Sequence, residues 1–509
     1  MVRSIIVSIL LLFPVFLYSQ DEPTDDELTY TDDLFGTGDQ LKAGETAAED
    51  ETSRINADIQ AVYGLQYNNM LSTANISQEQ ENFVYYLNSH YKRSNDYGYK
   101  DTIYENSSYF ENSLEFTGTV APDDSFTTIF NASADTDSRG MFDKNDYSRE
   151  EKDKVRFSSK NTKKFSSQFE AYISIGGAYY KHRLEKRQAD LENVRNSLTR
   201  YTGETGGELI WSSSNRIRYW TQYTEYSYTS EEIPYDRYVH GEIVDDFKIS
   251  DLLGFKVGLN FAWNRDKGLF AWNVQNMPVP VMPIAGMTIY GNQYYTAYIN
   301  YRYDLQPFRP EEYYYEQNYI YPTYDLPPSK VHFLEGRIDF IMKDMFSLQS
   351  IVSYRKSSNY YNYLPSENSQ NLLTAHTVET DIYSYNFDLT LDIIPRTLRG
   401  STGYELNYFY APENITYQPT NEVVTVIEYT GSFLNVSWRN DFLGEVYINP
   451  DSERKLGEST IGYLDVQFKT IESFYTYLRI ENLYNTKYYI RNGYPEAGTT
   501  VYFGLRVLL

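Results

Sequence analysis

The sequence of 509 residues contains no cysteine, and this absence excludes several kinds of chemistry. Disulfides, thiolate nucleophiles and cysteine-based zinc sites all need that residue, as does a lipid anchor attached behind a signal peptide. Long apolar runs are also lacking, because beyond residue 20 no stretch could cross a membrane as a helix. The mean hydropathy of −0.57 excludes a helical membrane protein. It does not exclude a β-barrel, in which every second residue can be polar.

Positive charge is scarce as well. The 45 Lys and Arg residues face 70 Asp and Glu residues, which gives a net charge of −25. Phosphate backbones bind basic surfaces, so no nucleic-acid partner is expected. The five histidines have no metal-ligand spacing, and we predict no metal site at any of them. They are His90, His182, His240, His332 and His376.

Sequence patterns typical of enzymes are missing. No glycine-rich phosphate loop follows a strand and opens a helix, and no Ser-His-Asp set is recognisable. Carboxylate pairs such as Asp123-Asp124 and Glu311-Glu312 are expected by chance in an acidic chain. We therefore predict no catalytic residue, no cofactor and no enzymatic activity. The alternative is an outer-membrane hydrolase built from loop residues, since such a site has no local sequence pattern.

The first residues have the features of an export sequence. A positive start at Arg3 precedes an apolar run from Ile5 to Leu17, and a cleavage site is predicted before Gln20. Residues 1–19 are therefore predicted to be a signal peptide, with an uncleaved membrane anchor as the alternative. Residues 20–54 are acidic and poor in large apolar side chains, which predicts a disordered periplasmic segment.

Residues 55–509 show strand patterns in succession and no convincing helix. One example is the stretch from Leu253 to Asn264, in which apolar residues alternate with polar or small ones. Another runs from Ser384 to Ile393 and carries Asp388 and Asp392 on its polar face. This period of two is typical of strands with one apolar face. A β-sandwich would show the same alternation, so alternation alone does not distinguish the two folds.

The lengths of the connections favour a barrel. Tight turns alternate with long polar segments, as in outer-membrane barrels, whose short turns lie in the periplasm. Asn68 to Glu79 and the proline-rich stretch Met277 to Ala285, taken as a periplasmic connection, fit this scheme poorly. We count about 21 strands; single-chain barrels have an even number, so we predict 20 to 22. The predicted tight turns are Ala121–Ser125, Lys343–Met345, Ile394–Thr397 and Thr470–Ser473, and the predicted loops are Asp137–Lys152, His182–Asn196, Tyr303–Lys330, Ser357–His376 and Pro450–Glu458.

Aromatic residues are abundant, at 17% of the chain with 54 tyrosines. Several lie near predicted strand ends, as at Tyr408 to Tyr410, where rings with a polar tip would form girdles at the membrane interfaces. Others lie in predicted loops, including Tyr313 to Tyr315 and Tyr360-Tyr361. A ligand-stacking surface is one hypothesis for these loop tyrosines. The alternative is that tyrosine is simply a good strand former.

The last strand ends the chain without a tail, and it must pair with another strand. Pairing it with the first strand closes a barrel, and this is the arrangement we predict: an all-β, transmembrane, antiparallel up-and-down barrel. The apolar face of this closing strand comprises Val501, Phe503, Leu505, Val507 and Leu509.

Two motifs precede that strand. The first is formed by Asn482, Leu483, Tyr484, Asn485 and Tyr488, and the second by Gly493, Tyr494, Pro495 and Gly498. Together with the final strand they resemble the C-terminal end of TonB-dependent receptors, whose patterns are N-L-[FY]-[ND]-x-x-Y and G-Y-P-x-P-G. The resemblance is sharp over about forty residues and implies a 22-stranded outer-membrane barrel.

The sequence departs from the family at several points. Ala497 and Thr499 stand where the family usually has Pro and Arg, and Leu509 stands where it usually ends in an aromatic residue that the barrel-assembly machinery recognises. The family's plug domain precedes its barrel. Here only the acidic segment to Arg54 precedes it, so we do not expect this chain alone to carry out energy-coupled uptake.

We therefore predict an exported outer-membrane barrel that resembles a plugless TonB-dependent receptor and passes small solutes or a specific ligand. Expected partners are outer-membrane lipid, the assembly machinery and a separate plug or surface lipoprotein. The net negative charge of the chain predicts that the passage prefers cations to anions. The alternative is a sealed barrel that serves as a receptor or scaffold for a lipoprotein or polysaccharide; a third hypothesis is a secreted, soluble β-sandwich. The residues predicted to face the lumen are Lys256, Asn260, Asp388, Asp392, Arg399, Glu405, Asp465, Lys469 and Arg506.

Overall fold

The computed structural model describes most of the chain from Arg54 onward. The predicted signal peptide and, apart from Arg54, the predicted acidic segment lie outside the described residues. Within the described residues no helix is long and apolar enough to cross a membrane. The described residues are 54–80, 82–100, 102–141, 147–187, 193–229, 235–264, 272–274, 277–279, 281–291, 294–312, 318–321, 323, 326–342, 345–366, 372–451 and 453–509.

Alternating apolar and polar side chains build one antiparallel sheet of 22 strands. Each strand pairs with its neighbours in sequence, so the topology is up-and-down. The strands are β1 (Arg54–Gly64), β2 (Met70–Gln80), β3 (Phe83–Ser94), β4 (Tyr109–Asp123), β5 (Phe126–Gly140), β6 (Tyr147–Ser166), β7 (Phe169–Lys186), β8 (Val194–Ser212), β9 (Asn215–Tyr228), β10 (Tyr235–Lys248), β11 (Leu253–Asn264), β12 (Val281–Gly291), β13 (Tyr295–Gln306), β14 (Ser329–Met342), β15 (Phe346–Pro365), β16 (Leu373–Ile394), β17 (Leu398–Tyr410), β18 (Asn421–Thr430), β19 (Leu434–Leu443), β20 (Ser459–Ile471), β21 (Phe474–Glu481) and β22 (Thr500–Leu508).

The sheet closes on itself. β22 pairs on one side with β21 and on the other with β1, where Arg506 lies opposite Gln60. The backbone of Leu509 exchanges two further hydrogen bonds with Ala57. Closure leaves no unpaired edge in the wall. The predicted all-β barrel of 20 to 22 strands is confirmed, with 22 strands, and the β-sandwich alternative is wrong.

The two ends of the barrel differ in their connections. At one end, here called the inner end, the turns between consecutive strands contain two to four residues. At the opposite outer end the connections contain five to 22 residues. Four small two-stranded hairpins lie at the outer end. They pair Gly98–Tyr99 with Thr102–Ile103, Trp272–Val274 with Met277–Val279, Val446–Tyr447 with Lys455–Leu456, and Tyr489–Arg491 with Tyr494–Pro495.

The two stretches that fitted the scheme poorly contain wall strands. The stretch Asn68 to Glu79 contains most of β2. The stretch Met277 to Ala285 is not a connection at the inner end, because β12 begins at Val281 and pairs with β11. Proline is tolerated there because Pro283 lies near the strand start.

Three loops are shorter in the structure than the sequence predicted. Asp137–Lys152, His182–Asn196 and Ser357–His376 consist largely of strand, and the connections within them shrink to residues 141–146, 187–193 and 366–372. Charged residues misled the prediction, because at these positions they pair across neighbouring strands. Arg183 reaches Glu151 at 3.4 Å on one such pair of strands.

Candidate functional site: the capped outer mouth

The described part of the longest outer connection, residues 307–328 between β13 and β14, turns into the barrel. Its side chains Phe308, Ile320 and Leu326 are buried. They pack in one cluster with residues of β7 to β10 and of β15 and β16, including Tyr180 and Tyr363. Because these strands belong to well-separated parts of the ring, the described residues of the connection must reach across the bore. We call these residues, 307–312, 318–321, 323 and 326–328, the cap segment.

The cap segment joins the wall as a short extra strand. Ile320 forms a parallel bridge with Leu373 at the start of β16. The Tyr321 amide donates to the Leu373 carbonyl at 2.6 Å, and the Leu373 amide donates to the Tyr319 carbonyl at 3.1 Å. These bonds satisfy backbone groups that would otherwise be buried without partners. They hold the segment against one side of the mouth.

Tyr319 lies at the centre of the cap. Its ring stacks on Tyr494 with centroids 3.7 Å apart, and both side chains are buried beside Met141 and Leu372. Its φ of 65° lies in the left-handed region, which costs about 1 to 3 kcal/mol for a residue other than glycine. Burial raises the pKa of the Tyr319 phenol, which therefore stays neutral. Contacts on all sides offset the strain of this backbone conformation.

A buried ion group fixes the same point of the cap segment to the wall. Glu150 on β6 accepts from the Tyr319 amide and from His182 Nε2, each at 2.9 Å. Lys152 Nζ lies 3.4 Å from Glu150 and donates to Asn318 Oδ1 at 3.0 Å. The side chains of Glu150 and Lys152 are 2% exposed and that of His182 is fully buried. Such charges are tolerated only when they are paired and hydrogen-bonded.

A second polar anchor lies further toward the start of the cap segment. Glu311 accepts from Arg200 at 2.8 Å and from the Tyr226 hydroxyl at 2.9 Å. Its neighbour Glu312 pairs with Arg309 within the segment itself at 2.8 Å. The adjacent carboxylates Glu311 and Glu312 were expected to be a chance pair. In the structure Glu311 contacts the wall and Glu312 contacts Arg309 within the cap segment.

Other outer connections close around the cap segment. The Gly498 amide donates to the Gly98 carbonyl at 2.9 Å, joining connections 482–499 and 95–108. The Arg491 guanidinium lies 4.5 Å from the ring centroid of Tyr417 and 5.8 Å from that of Tyr363. Burial lowers the pKa of Arg491 from its usual range. We call the described residues that make these contacts, together with the cap segment, the outer cap.

The two C-terminal motifs shape the connection that carries Tyr494. Asn482 and Asn485 have φ values of 50° and 52°. The Asn482 amide group donates to the carbonyls of Thr486 and Ala497 at 2.8 and 2.9 Å, and the Asn485 carboxamide oxygen accepts from the Thr499 amide at 3.1 Å. Both motifs therefore act on the fold of connection 482–499.

The remaining motif residues lie in the same connection. Gly493 has a φ of 86°, which favours glycine, and a Cβ on Gly498 would lie 2.8 Å from Asn485 Oδ1. Pro495 is buried and accepts from the Tyr97 hydroxyl at 3.4 Å. The structure leaves Tyr484 exposed and Leu483 half-buried. Tyr488 accepts a backbone bond from Glu496 at 3.0 Å.

The predicted apolar face of the closing strand lies away from the buried side chains. Phe503 and Leu505 are 48% and 58% exposed and Leu509 is 49% exposed, with Val501 and Val507 between them on the same face. Tyr502, on the opposite face, is buried. An outward apolar face of this kind suits contact with lipid.

The nine residues predicted to face the lumen all lie on the face opposite to the exposed apolar side chains. Arg506 donates to Asp58 at 2.8 and 2.9 Å and to Gln467 at 2.8 Å. Asp465 accepts from the Tyr477 hydroxyl. The other members lie opposite partners in register: Lys256 opposite Asp246, Asn260 opposite Glu242, Asp388 opposite Gln349, Asp392 opposite Arg399, Glu405 opposite Glu422, and Lys469 opposite Tyr475. Their role in lining a passage stays a prediction.

Sequence reasoning missed the residues that hold the cap. Glu150 and Lys152 were assigned to a charged loop, and His182 to a loop or the lumen. The apolar residues Phe308, Ile320 and Leu326 inside a polar connection would have indicated an inward fold. Of the loop tyrosines proposed as a ligand surface, Tyr313 to Tyr315 lie outside the described residues, whereas Tyr361 donates to Pro327 at 2.9 Å and supports the cap segment.

This protein resembles known proteins in its three-dimensional structure but not in its sequence. No family model matches the chain, and no curated protein sequence matches it. The FrpB iron transporter of Neisseria meningitidis superposes with a TM-score of 0.68 at 10% identity, covering 89% of this chain and 81% of that one. The ferric-catecholate import receptor Fiu of E. coli K12 gives 0.67 at 10% identity, covering 90% and 82%.

The siderophore receptor PirA of Acinetobacter baumannii gives a TM-score of 0.66 at 12% identity, covering 91% of this chain and 81% of that one. At such identities the likeness establishes the fold alone. These three structures are named as a transporter and two receptors, and this chain shares their barrel fold.

Proposed function

We propose that this protein is an outer-membrane transporter whose outer mouth is closed at rest by its own cap segment. The observation that carries the proposal is the buried attachment of the cap segment, with anchors at Glu150, Glu311 and Leu373. A closed mouth excludes free diffusion of solutes. Passage of a small solute or specific ligand then requires the cap segment to leave the wall.

The barrel is proposed to stand in the outer membrane with its short turns in the periplasm. The exposed apolar face of the wall supports lipid contact, and the 22 strands suit a bore of transporter size. An iron transporter, a copper transporter and a siderophore receptor share the fold. Insertion by the barrel-assembly machinery and closure of the periplasmic side by a separate plug protein are further parts of the proposal.

The absence of cysteine allows a direct test. Ile320 and Leu373 are bridge partners, so Ile320→Cys/Leu373→Cys places two thiols at a separation that suits a disulfide. In a planar bilayer, the oxidised double variant should show no opening events, and a reducing agent should restore the events of the wild-type protein. The single variant Ile320→Cys is the control, since it cannot form the bond.

A sealed receptor or scaffold is the second candidate. It is favoured by the same lid, which presents a folded surface to the outside. If the wild-type protein, the reduced double variant and variants that loosen the cap all lack conductance, the transport proposal fails and the receptor remains. If the oxidised double variant conducts like the wild-type protein, the cap segment is not the closing element.

A further inference from the structure

His182 lies fully buried at the point where the cap segment meets the wall. It belongs to β7, and its Nε2 atom lies 2.9 Å from Glu150 Oε1. Its outward neighbours Lys181 and Arg183 pair with carboxylates of β6, so this part of β7 extends beyond the apolar layer of the wall. Histidine is the side chain whose charge changes most readily between pH 5 and 8. A buried histidine at the anchor of the cap segment therefore links the closed mouth to pH.

A lysine faces His182 from the neighbouring strand. Lys152 on β6 is the register partner of His182, and its side chain is 2% exposed. Lys152 Nζ lies 3.4 Å from the same Glu150 oxygen that contacts His182. The next residue on this face of β6 is a further cation, Lys154. A proton added to His182 would therefore place a new positive charge beside Lys152, at a point that solvent does not reach.

The described residues on the other sides of His182 are uncharged. β8 presents Asn196 as the register partner of His182. The cap segment presents Asn318 and Tyr319, which bond Lys152 and Glu150 respectively. Tyr319 stays neutral, because burial raises the pKa of its phenol. The charge balance around His182 is therefore set mainly by β6.

The charged groups of β5 lie one strand further away. Asp137 is the register partner of Lys152. Arg139 pairs with Asp137 at 3.0 Å and also with Glu111 on β4. Asp137 and Arg139 act on the charge of Lys152 in opposite directions. They are separated from His182 by Lys152 itself, so they do not offset a proton placed on the imidazole.

The direction of the pH effect follows from these contacts. Burial lowers the pKa of His182 and outweighs the hydrogen bond to Glu150, and Lys152 lowers it further. Once the cap segment leaves the wall, His182 meets water and regains its ordinary pKa of about 6.5. The closed state therefore has its full stability above about pH 6.5 and loses it as the pH falls toward the lower pKa of the closed state. Glu150 stays ionised in this range, since burial, which raises its pKa, is outweighed by Lys152 and His182.

We propose that His182 is a pH switch of the cap segment, whose protonation in weak acid favours the detached cap and an open outer mouth. The switch rests on the proposed function, because it concerns the same closed cap and adds the condition that opens it. The open state is the one that accepts the proton, so acid shifts the population toward it.

The absence of cysteine allows a test that does not depend on transport. Ile320 is fully buried, so a thiol in the variant Ile320→Cys reacts with a maleimide only when the cap segment leaves the wall. The variant Ile103→Cys, at a position that is 52% exposed, gives the intrinsic reaction rate at each pH. The full-length protein is labelled in detergent. Between about pH 7.5 and about pH 5.5, the rate for Ile320→Cys relative to Ile103→Cys should rise about tenfold, as one released histidine predicts.

Substitutions of two histidines assign the effect. In the Ile320→Cys background, His182→Gln keeps an amide donor for Glu150 that does not titrate, and the rise should disappear. The matched control is His376→Gln. His376 Nε2 also contacts a carboxylate, that of Glu413 at 2.5 Å, but it does not anchor the cap segment, so the rise should remain.

The oxidised variant Ile320→Cys/Leu373→Cys provides a second measurement, should His182→Gln loosen the cap at every pH. With the cap held closed, the NMR signal of a labelled His182 ring, assigned by its loss in His182→Gln, should remain that of a neutral imidazole at about pH 5.5. Titration of that ring at its ordinary pKa in the closed barrel would overturn the switch.

The remaining outcomes separate the switch from the proposed function. Slow labelling of Ile320→Cys at both pH values would leave the cap closed and overturn the switch alone. Equal rates for Ile320→Cys and Ile103→Cys at neutral pH would show a detached cap and overturn the proposed function with it. A full rise that persists in His182→Gln would assign the effect to another group and overturn the switch.

Discussion

The strands of the barrel wall fall into long and short groups. β6 and β7 contain 20 and 18 residues, and β15 and β16 contain 20 and 22. In contrast, β18 and β19 contain 10 residues each and β21 contains eight. A strand needs only about 9 to 11 residues to cross the hydrocarbon layer. The short strands therefore end where the lipid would end, whereas the long strands continue beyond it.

The outward face of the long strands shows where they leave the apolar layer. On β7, Ile173, Ile175 and Tyr179 are exposed and apolar or aromatic, and Lys181 and Arg183 follow them. These cations pair with carboxylates of β6, Lys181 with Asp153 at 3.3 Å and Arg183 with Glu151 at 3.4 Å. Strand structure beyond the lipid is thus supported by polar pairs across strands.

The inward face of the same extensions carries the cap. Glu150, Lys152 and His182 alternate along β6 and β7 with the exposed ion pairs and point to the buried side. The long strands therefore form a raised support for the cap segment, which the short strands could not provide. Because the inward pairs are buried and the outward pairs are exposed, breaking an inward pair should destabilise the closed cap far more than breaking an outward pair.

Glu150→Gln is expected to have the largest effect. The substitution leaves Lys152 without its buried counter-charge, and breaking a buried pair costs about 3 to 5 kcal/mol. We expect the closed cap to lose roughly this free energy, with many more opening events in a planar bilayer and faster proteolysis between residues 307 and 328. The control is Glu151→Gln, one residue away on the exposed face, where at most about 1 kcal/mol is expected. Equal effects of the two substitutions would contradict the comparison.

Tyr494→Ala is expected to open the cap from the opposite side, that of the short strands. Removal of a buried aromatic ring costs about 3 kcal/mol or more, and here the stacking on Tyr319 is also lost. Opening frequency should rise as it does for Glu150→Gln, while the barrel itself should still migrate as a folded species in heat-modifiable electrophoresis. Tyr494→Phe keeps the ring and should resemble the wild-type protein. A fully closed Tyr494→Ala variant would show that Tyr319 needs no support from connection 482–499.

Substitutions of Asn482 test the stability of connection 482–499 on the short-strand side, because its side chain bonds residues of that connection. Asn482→Gly keeps the backbone at positive φ but loses all three hydrogen bonds of the Asn482 carboxamide, while Asn482→Ala loses the same bonds and adds strain. We expect Asn482→Gly to cost about 1 to 2 kcal/mol in urea unfolding in vesicles, and Asn482→Ala about 1 kcal/mol more. Equal stability of the two variants would indicate that backbone strain plays no part.

The smallest effect is expected for the exposed pair Lys181 and Asp153. A double-mutant cycle with Lys181→Ala and Asp153→Ala should give a coupling free energy of about 0.2 to 1 kcal/mol, because both side chains are well exposed and screened by salt. Unfolding in vesicles at low and high salt measures it. A coupling above 2 kcal/mol would mean that this face is not solvated and that the lipid boundary lies further out.

The sequence predicted the wall well, because alternation in residues such as Leu253 to Trp263 is a local property of a strand with one apolar side. It failed at the ends of the long strands. On β6, residues from Arg149 to Asp153 carry charge on both faces, so the period of two disappears from the hydropathy pattern although the strand continues. Charged stretches such as Asp137–Lys152 then resemble loops, and only the register shows that Glu150 and Lys152 lie opposite Leu184 and His182 on β7.

The candidate site was less predictable. Tyr494 was recognised within a motif, but its partner Tyr319 lies 175 positions earlier in a connection without a motif. Arg200 and Glu311, or Arg491 and Tyr363, are likewise distant in sequence and close in space. No local pattern links such residues, because the inward fold of a loop depends on which side chains the opposite wall presents.

By itself, the sequence determined the all-β class, the closing strand and the fold of the C-terminal connection, since alternation and turn chemistry act between residues that are near one another in the chain. Only the tertiary structure decided that the mouth is capped, how far the strands extend and which charges are buried. Those outcomes depend on contacts across the bore, where burial turns ordinary surface residues such as Glu150 and Lys152 into an obligatory pair.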